Sequence, residues 1–476
     1  MRIVIDLQGA QCGSRHRGIG RYSLALTQAL LRLRGEHEVF VLLNGLFADT
    51  IGPLRESLAP WLDADHVRVW DAQGPVASTD PRNDVRRKLA ELTREAAIAG
   101  LQPDVVLVTS FFEGFGDNAT LSLGRLPCGA LQAAVFYDAI PLIESKAYLS
   151  HAALDQAYRA KARALARADL LLSISESSRQ EAIAHLGMAP ERVVNISAAA
   201  DDCFTPEPVP DALAAALRQR LGIHRPFVLC SGASDARKNH FRLLSAFAQL
   251  EPAVRAGHQL VMVGEVPNSH RRLVDRHMRD CGLRDGEVVW TGRLSDEDLR
   301  HLYVLCTLFV FPSWHEGFGL PALEAMRCGA AVIGANTTSV PEVISADWAL
   351  FDPFDEAAIG ARMQEMLTQP GLRARLSAHG LQQAERFSWE VTAQRALAAM
   401  EEASRSMRCP APSVQALSSA LTAQFAELNT SLARQDDQLR TGRYALSVGA
   451  ARRALMLALG RRLATMTRRL RQRLGR

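Results

Sequence analysis

Two glutamates flank a glycine turn and a proline in residues 316–324, which read Glu-Gly-Phe-Gly-Leu-Pro-Ala-Leu-Glu. The apolar run 305–311 before them predicts a buried strand, and Pro321 suits the first turn of a helix. Backbone N–H groups at such a helix start face an anion, for example a diphosphate. Glu324 would lie one turn inside the helix and could accept hydrogen bonds from ribose hydroxyls, while Glu316 stays on the loop.

An ordinary strand-turn-helix with two solvated glutamates has the same local spacing, so the wider sequence decides between the two interpretations. The motif continues through residues 325–326 (Ala-Met) to Gly329, and the apolar residues 331–333 and the triplet 341–343 (Pro-Glu-Val) follow. This stretch resembles the donor-binding signature of the retaining glycosyltransferases of family four. The resemblance extends over residues 1–400.

The resemblance implies an α/β protein of the GT-B fold, with two Rossmann-like doubly wound domains that face a cleft and a helical C-terminal extension. Strand-like and helix-like segments alternate along the chain, as this class requires. The predicted parts are an N-terminal acceptor-side domain, a linker, a C-terminal nucleotide-sugar-binding domain, a helix that crosses back to the N-terminal domain, and a basic helical tail. Their predicted boundaries are 1–205, 206–225, 226–385, 386–405 and 406–476.

The glycine turn is the first predicted contact with a nucleotide-sugar donor. The resemblance implies that Glu316 holds the transferred sugar and is catalytic, and that Glu324 holds the ribose. Backbone amides of the turn between them would hold the diphosphate. These amides belong to Gly317, Phe318, Gly319 and Leu320.

A second predicted donor contact follows the strand-like residues 227–230. Family members have a lysine here, often with an arginine just after the glycine, and the pair neutralises the diphosphate leaving group. Lys238 matches this lysine, which implies a catalytic role for it. Ala233 occupies the arginine position, so Arg237 is the candidate for the second charge, and a solvated Arg-Lys pair is the alternative. The glycines that resemble pocket-lining positions, or that form simple turns, are Gly232, Gly264 and Gly292.

A G-x-G motif at Gly18 and Gly20 precedes Arg21 near the N-terminus. Without a third glycine the motif is weak evidence for nucleotide binding, and a plain turn is the alternative. It resembles the N-domain glycine loop that closes over the donor phosphate, with Arg21 as an anion contact. The same stretch resembles the opening of bacterial mannosyltransferases of O-antigen synthesis, and this likeness favours GDP-mannose as the donor.

Tyr137 and Asp138 end a strand-like segment on the acceptor side of the predicted cleft. The family usually has His-Asp at this point, so the tyrosine excludes an imidazole acid or base here. Asp138 could still orient or deprotonate an acceptor hydroxyl and is assigned a catalytic role. An aspartate at a strand end also commonly forms a turn or caps a helix.

The positive charge of the chain lies at its C-terminal end. The net charge is +4, yet residues 440–476 contain eleven arginines and no acid. Leucines at three- and four-residue spacing predict a basic amphipathic helix there, which favours an anionic membrane surface. An oligomerisation helix, a nucleic-acid patch and a solvated end are the alternatives. Residues 414–432 carry a short heptad-like pattern that predicts either a coiled coil with a partner or packing against the body.

Composition agrees with an ordinary globular enzyme. Of the 476 residues, 48% are hydrophobic, which suffices for two or three domains. The eight cysteines are scattered without a C-x-x-C pair, which favours a reducing, cytoplasmic location. No signal pattern or bilayer-spanning run is found, so any membrane contact would be peripheral, at the inner face. The Asp-Ala-Asp triplet at 63–65 is interpreted as a surface turn, so neither a metal nor another cofactor is predicted.

The sequence therefore predicts a glycosyltransferase that moves a hexose to a saccharide or lipid-linked saccharide acceptor with retention of configuration. Mannose from GDP-mannose is the preferred donor, in the synthesis of a bacterial surface polysaccharide. The alternatives are the same fold with UDP-glucose or dTDP-rhamnose, and a non-catalytic scaffold of a polysaccharide assembly. Nucleic acid is not expected as a partner.

Overall fold

The computed structural model describes residues 1–232, 235–406 and 414–440. In these residues the strands form two parallel sheets, one of seven strands and one of six. Their strands are short apolar runs, as expected where helices cover both faces of a parallel sheet. Helices pack on both faces of each sheet, which confirms the predicted class of two Rossmann-like doubly wound domains.

The first sheet has the strand order β3-β2-β1-β4-β5-β6-β7. Its strands are β1 Arg2–Asp6, β2 Glu38–Asn44, β3 Val67–Trp70, β4 Val105–Val108, β5 Leu131–Phe136, β6 Leu170–Ser173 and β7 Val193–Asn195. The helices between and after these strands are α1 Gly18–Leu33, α2 Ala48–Leu58, α3 Asp84–Gly100, α4 Ile140–Ile143, α5 Ser145–Tyr148, α6 Ala152–Leu165 and α7 Glu176–Leu186. We call this part the N-domain.

The second sheet has the strand order β10-β9-β8-β11-β12-β13. Its strands are β8 Phe227–Ser231, β9 Gln259–Val263, β10 Val288–Gly292, β11 Leu308–Phe311, β12 Val332–Ala335 and β13 Leu350–Phe351. Its helices are α8 Asp211–Leu221, α9 His240–Ala248, α10 Pro252–Gly257, α11 Asn268–Asp280, α12 Asp296–Leu305, α13 Leu320–Arg327, α14 Val340–Ile344, α15 Glu356–Thr368 and α16 Pro370–Ala384. We call this part the C-domain.

The next helix, α17 (Trp389–Ser406), leaves the C-domain and packs against α1 of the N-domain. The ring of Trp389 meets that of Tyr22 edge to face at a centroid distance of 5.1 Å. Arg32 Nη2 lies 3.0 Å from Glu390 Oε1. The chain therefore passes between the two domains twice, once before α8 and once before α17.

The last described helix, α18 (Val414–Arg440), packs against α3 on the outside of the N-domain. Leu428 is buried there against Val85, Leu92 and Leu126. Part of the heptad-like pattern of residues 414–432 thus packs against the N-domain of the same chain. The predictions for residues 441–476, including the basic amphipathic helix, lie outside the described residues. No helix within the described part is both long and apolar enough to cross a bilayer.

Candidate active site

The carboxylate of Glu316 lies between two cations of the C-domain. Lys238 Nζ is 2.5 Å from Glu316 Oε1, and Arg237 Nη1 is 2.8 Å from Glu316 Oε2. Lys238 and Arg237 follow β8 in a single helical turn, while Glu316 follows β11. Since β8 and β11 are neighbours in the sheet, the loops at their carboxyl ends meet. The topology therefore brings Glu316 to Arg237 and Lys238, which precede it by 79 and 78 positions.

The electrostatics of this cluster keep Glu316 ionised. Burial alone would raise its pKa, but Lys238 and Arg237 outweigh burial and lower the pKa to about 2. For the Arg237 guanidinium the signs are reversed: burial alone would lower its pKa, but the charge of Glu316 outweighs burial and raises the pKa. The aliphatic stem of Lys238 passes close to Gly232, and its ammonium lies 5.5 Å from the centre of the Phe311 ring.

The glycine turn that follows Glu316 is one of the places where the two domains touch. A Cβ at Gly317 would lie 2.5 Å from the carbonyl oxygen of Tyr137 in the N-domain, so a larger residue would push the domains apart. Ser175 Oγ and Ser178 Oγ of the N-domain donate to the Gly317 carbonyl at 2.6 and 2.9 Å. Gly319 has φ +104° and leads into α13, whose first turn contains Pro321 as predicted. The half-buried start of α13 thus faces the boundary between the domains.

Asp138 reaches this boundary from the end of β5. Its Oδ1 accepts a hydrogen bond from the backbone N–H of Ile140 at 3.0 Å, so it also stabilises the turn that leads into α4. Burial and then the charge of Glu181 raise its pKa to about 6, although Arg237 opposes them. The side chain of Tyr137 points the other way, and its hydroxyl donates to the carbonyl of Thr109 at 3.0 Å. Asp138 therefore faces the Glu316 cluster, whereas the Tyr137 ring lies within the N-domain.

Glu324 lies on α13, one turn beyond the glycines, and is buried. The hydroxyl of Tyr303 donates to Glu324 Oε2 at 3.1 Å and lies 3.1 Å from Ser231 Oγ. Ser231 directly precedes Gly232, which packs against Lys238. Hydrogen bonds thus join Glu324 through Tyr303 to Ser231, the residue before the glycine on which the aliphatic stem of Lys238 packs. Glu316, Glu324 and Lys238 lie on one side of the boundary.

The G-x-G motif forms the first turn of α1, not a loop, because the helix begins at Gly18. A Cβ at Gly18 would lie 3.7 Å from Leu320, so this turn faces α13 across the boundary. Arg21 Nη1 pairs with Asp296 Oδ1 of the C-domain at 2.9 Å. These contacts place the motif opposite the predicted diphosphate contacts.

The other predicted positions lie around the same edge of the second sheet. The backbone N–H of Gly264 donates to the carbonyl of Gly292 at 3.1 Å. The ring of Phe318 is buried against Phe387, so only its backbone can contact a ligand. Ala233 lies outside the described residues.

Several contacts between the domains had no signal in the sequence. His315 Nε2 lies 2.7 Å from Glu181 Oε1, and the indole N–H of Trp314 donates to Glu144 at 3.0 Å. Backbone N–H groups at the start of α7 donate to Glu342 at 2.7 and 2.8 Å. Each pair joins residues more than a hundred positions apart, so spacing could not have revealed it.

Two family models match the chain in consecutive segments. The model of the glycosyl transferase 4-like domain matches residues 17–199, and that of the glycosyl transferases group 1 matches residues 215–383. The chain belongs to the group 1 glycosyltransferases. The second match contains Lys238, Glu316 and Glu324, and the first contains Asp138.

Curated relatives of this glycosyltransferase include two mannosyltransferases from Escherichia coli. A serotype-specific mannosyltransferase, WbdA, is 37% identical over 398 residues, which are 83% of this chain and 47% of that protein. O-antigen chain mannosyltransferase B is 35% identical over 226 residues, which are 47% of this chain and 58% of that protein. The glycosyltransferase thus spans about half the length of the curated relatives that it matches.

Solved structures share its fold at low sequence identity. HepE of Anabaena, solved in complex with UDP and glucose, has a TM-score of 0.59 and 18% identity, covering 84% of this chain and 100% of that one. WaaG, a glycosyltransferase of lipopolysaccharide biosynthesis, has a TM-score of 0.56 and 17% identity, covering 83% and 98%. These similarities show that the glycosyltransferase has the GT-B architecture.

The site of this glycosyltransferase brings the start of α13, two cations and three carboxylates together in one boundary region. The carboxylates differ in ionisation, because the pKa of Glu316 is about 2, that of Asp138 about 6 and that of Glu324 about 7. Such divergent values allow one acid to stay charged while another exchanges a proton near neutral pH. Within residues 1–232, 235–406 and 414–440, no group of three or more His, Cys, Asp or Glu is arranged to hold a metal ion.

Burial of Glu324 makes the stability of the glycosyltransferase depend on pH. Burial raises its pKa to about 7, and Arg21 and Tyr303 offset only part of this. Between the unfolded and folded pKa values the unfolded chain binds fewer protons, so stability falls as pH rises. Between about pH 5 and pH 8, we expect the free energy of unfolding of the wild-type protein to fall by on the order of 3 kcal/mol relative to that of Glu324→Gln.

Urea unfolding of both proteins at the two pH values measures this difference, in which the contributions of all other titrating groups cancel. Glu402→Gln, a change at an exposed position on α17, serves as the control and should follow the wild type. A Glu324→Gln protein whose stability runs parallel to the wild type across this range would contradict the burial argument.

Proposed function

We propose that this glycosyltransferase transfers mannose from GDP-mannose to a saccharide or lipid-linked saccharide acceptor, with retention, in the synthesis of a bacterial surface polysaccharide. The observation that carries the proposal is the Glu316–Lys238–Arg237 cluster, which faces Asp138 where the two domains meet. The choice of mannose is supported by the relatives named mannosyltransferases, which are 35–37% identical over about four fifths of the chain.

In the proposed reaction the diphosphate of the donor binds beside Lys238 and at the start of α13. The amides there and the two cations stabilise the negative charge that develops on the leaving group. Arg237 supplies the second charge in place of the arginine that the family has at position 233. Because the chain provides both cations, the proposal requires neither a metal ion nor another cofactor.

Glu316 remains ionised and holds hydroxyls of the transferred sugar, where its charge also favours the developing oxocarbenium ion. Glu324 holds the ribose, with Tyr303 fixing its carboxyl group. Asp138 orients or deprotonates the acceptor hydroxyl, a role that its raised pKa suits near neutral pH. The remaining predicted contacts close the donor pocket from Gly18, Gly20 and Arg21 on one side and Gly232, Gly264 and Gly292 on the other.

The C-terminal residues suggest where the enzyme works. The eleven arginines of residues 440–476 would attract an anionic membrane surface, which supports a peripheral location at the inner face of the cytoplasmic membrane. A lipid-linked acceptor would be presented at the same surface. The helix α18 could also receive a partner helix on the side that the N-domain does not cover.

A donor panel tests the proposal. We expect release of nucleotide from GDP-mannose at least about tenfold faster than from UDP-glucose or dTDP-rhamnose, because a site built for one sugar leaves polar groups unpaired with another. Release should rise further with a mannose oligosaccharide as acceptor, and NMR of the product should show an α-anomeric linkage, as in the donor. Faster transfer from another donor would refute the mannose assignment, and an inverted linkage would refute retention.

A further inference from the structure

A second cavity lies in the N-domain away from the Glu316 cluster. It has a volume of about 770 Å³ and is bounded by α3, α6 and the loop 111–125, with α18 closing one side. Cavities of this size hold ligands as large as a few sugar rings or a nucleotide. Its lining contains none of the residues predicted to contact the donor or acceptor.

Positive charge predominates in the lining of this cavity. Five of its lining residues are lysine or arginine, and three are aspartate or glutamate. One of the three acids, Glu427, belongs to α18 and is thus not part of the N-domain itself. Without α18, the walls that the N-domain provides would carry five cations and two carboxylates.

Glu427 bridges two cations of the N-domain. Lys88 Nζ lies 3.1 Å from Glu427 Oε1, and Arg125 Nη1 lies 3.1 Å from Glu427 Oε2. Burial alone would raise the pKa of Glu427, but Arg125 and Lys88 lower it below its ordinary value. The two oxygens of one carboxylate therefore lie where two cations of the cavity wall converge.

Lys161 provides a third cation from α6. Its Nζ donates to the carbonyl of Phe111 at 3.2 Å and lies 5.1 Å from the centre of the Phe111 ring. Among the residues that the structure describes, no carboxylate lies within ion-pair distance of Lys161. An ammonium group has three donors, so the cavity offers a cation with hydrogen-bonding capacity left over.

We propose that this cavity binds a phosphoryl group through Lys88, Arg125 and Lys161, and that Glu427 occupies part of that site until the ligand arrives. Arginine and lysine side chains that hold the two oxygens of one carboxylate can hold two oxygens of a phosphoryl group in the same way. The greater charge of the phosphoryl group also suits the excess of cations. Binding would displace Glu427 and loosen the contact of α18 with α3.

Hydrogen exchange of the full chain tests this proposal with two probes, inorganic phosphate and dihexanoyl phosphatidic acid below its micelle concentration. Either probe should slow exchange in residues 84–95 and 119–125 and speed it in residues 424–433. Sodium chloride at matched ionic strength is the control, since screening alone would weaken the ion pairs of Glu427. A response to both probes identifies free phosphate as sufficient, and a response to phosphatidic acid alone identifies a lipid headgroup. A response to neither probe, or an equal response to chloride, overturns the proposal.

Variants separate ligand binding from simple docking of α18. Glu427→Gln removes the competing charge and should lower the half-saturating probe concentration by about threefold or more, whereas Lys161→Gln should raise it about tenfold. Glu402→Gln and Lys146→Gln, which change exposed positions elsewhere, are the matched controls. If Lys161→Gln responds to the probes as the wild type does, α18 is only docked by ion pairs and the site does not exist. The outcome is independent of sugar transfer, because exchange is read at these segments alone.

Discussion

Glu316→Gln is expected to lower kcat of sugar transfer by about 10²–10³-fold, the loss typical of removing one electrostatic contact to a transition state. The glutamine has nearly the same shape and still offers an oxygen to Lys238 or Arg237. It has no negative charge, however, and the pKa of about 2 shows that the native side chain is ionised throughout the neutral range. The effect should appear in kcat more than in KM, because the charge acts on the developing oxocarbenium ion.

The matched control for this variant is Glu287→Gln. Glu287 is also a buried C-domain glutamate, paired with Arg255 at 3.2 Å, but it lies outside the cluster. Both changes leave a half-buried arginine without its carboxylate, so both should reduce stability. Only Glu316→Gln should lower kcat by about 10²–10³-fold, measured as nucleotide release by protein shown to be folded by circular dichroism. Equal kcat in the two variants would remove Glu316 from the reaction.

Lys238→Gln is expected to lower kcat by a similar factor of about 10²–10³, because the diphosphate leaving group loses its nearest cation. The residue is held in place by Gly232, Phe311 and Glu316, so the glutamine side chain has a defined position. Combined with Glu316→Gln, the loss should be much smaller than the product of the single effects, since the two groups support the same bond cleavage.

Lys146→Gln, an exposed change on α5, controls for the loss of a lysine and should retain wild-type kcat. A donor with a better leaving group, such as a mannosyl fluoride, adds a second readout. If Lys238 stabilises the departing diphosphate, the variant should be impaired far less with the fluoride than with GDP-mannose. An equal impairment with both donors would assign Lys238 a structural part only.

The two sheets were largely predictable from the sequence. Strands such as β8 and β9 are continuous apolar runs bounded by turns, and this pattern is strong for buried parallel strands. The strands β7 and β13 have only three and two residues, so they carry no pattern from which the sequence could predict them. The helix α1 begins at Gly18, within the stretch that resembles a glycine loop, and the backbone of Ser14 and Arg15 packs closely on its first turn at Gly20.

The candidate site was predictable only where the motif itself holds the residues together. Glu316 and Glu324 are linked by the fixed geometry of a turn and a helix, so their relation follows from spacing. The position of Lys238 required the family resemblance, since only the order of strands brings it to Glu316. The His315–Glu181 contact depends on how the two domains close, which local patterns do not encode.

The double passage of the chain between the domains restricts how the enzyme can open. One connection precedes α8, and the other leads into α17, which is held on α1 by Trp389 and Glu390. The two connections define a hinge axis. The N-domain and C-domain can rotate about this axis, but they cannot separate or rotate freely in other directions. Product release should therefore occur by a hinge motion that opens the cleft along one edge. In this motion α17 should move with the N-domain as a rigid body.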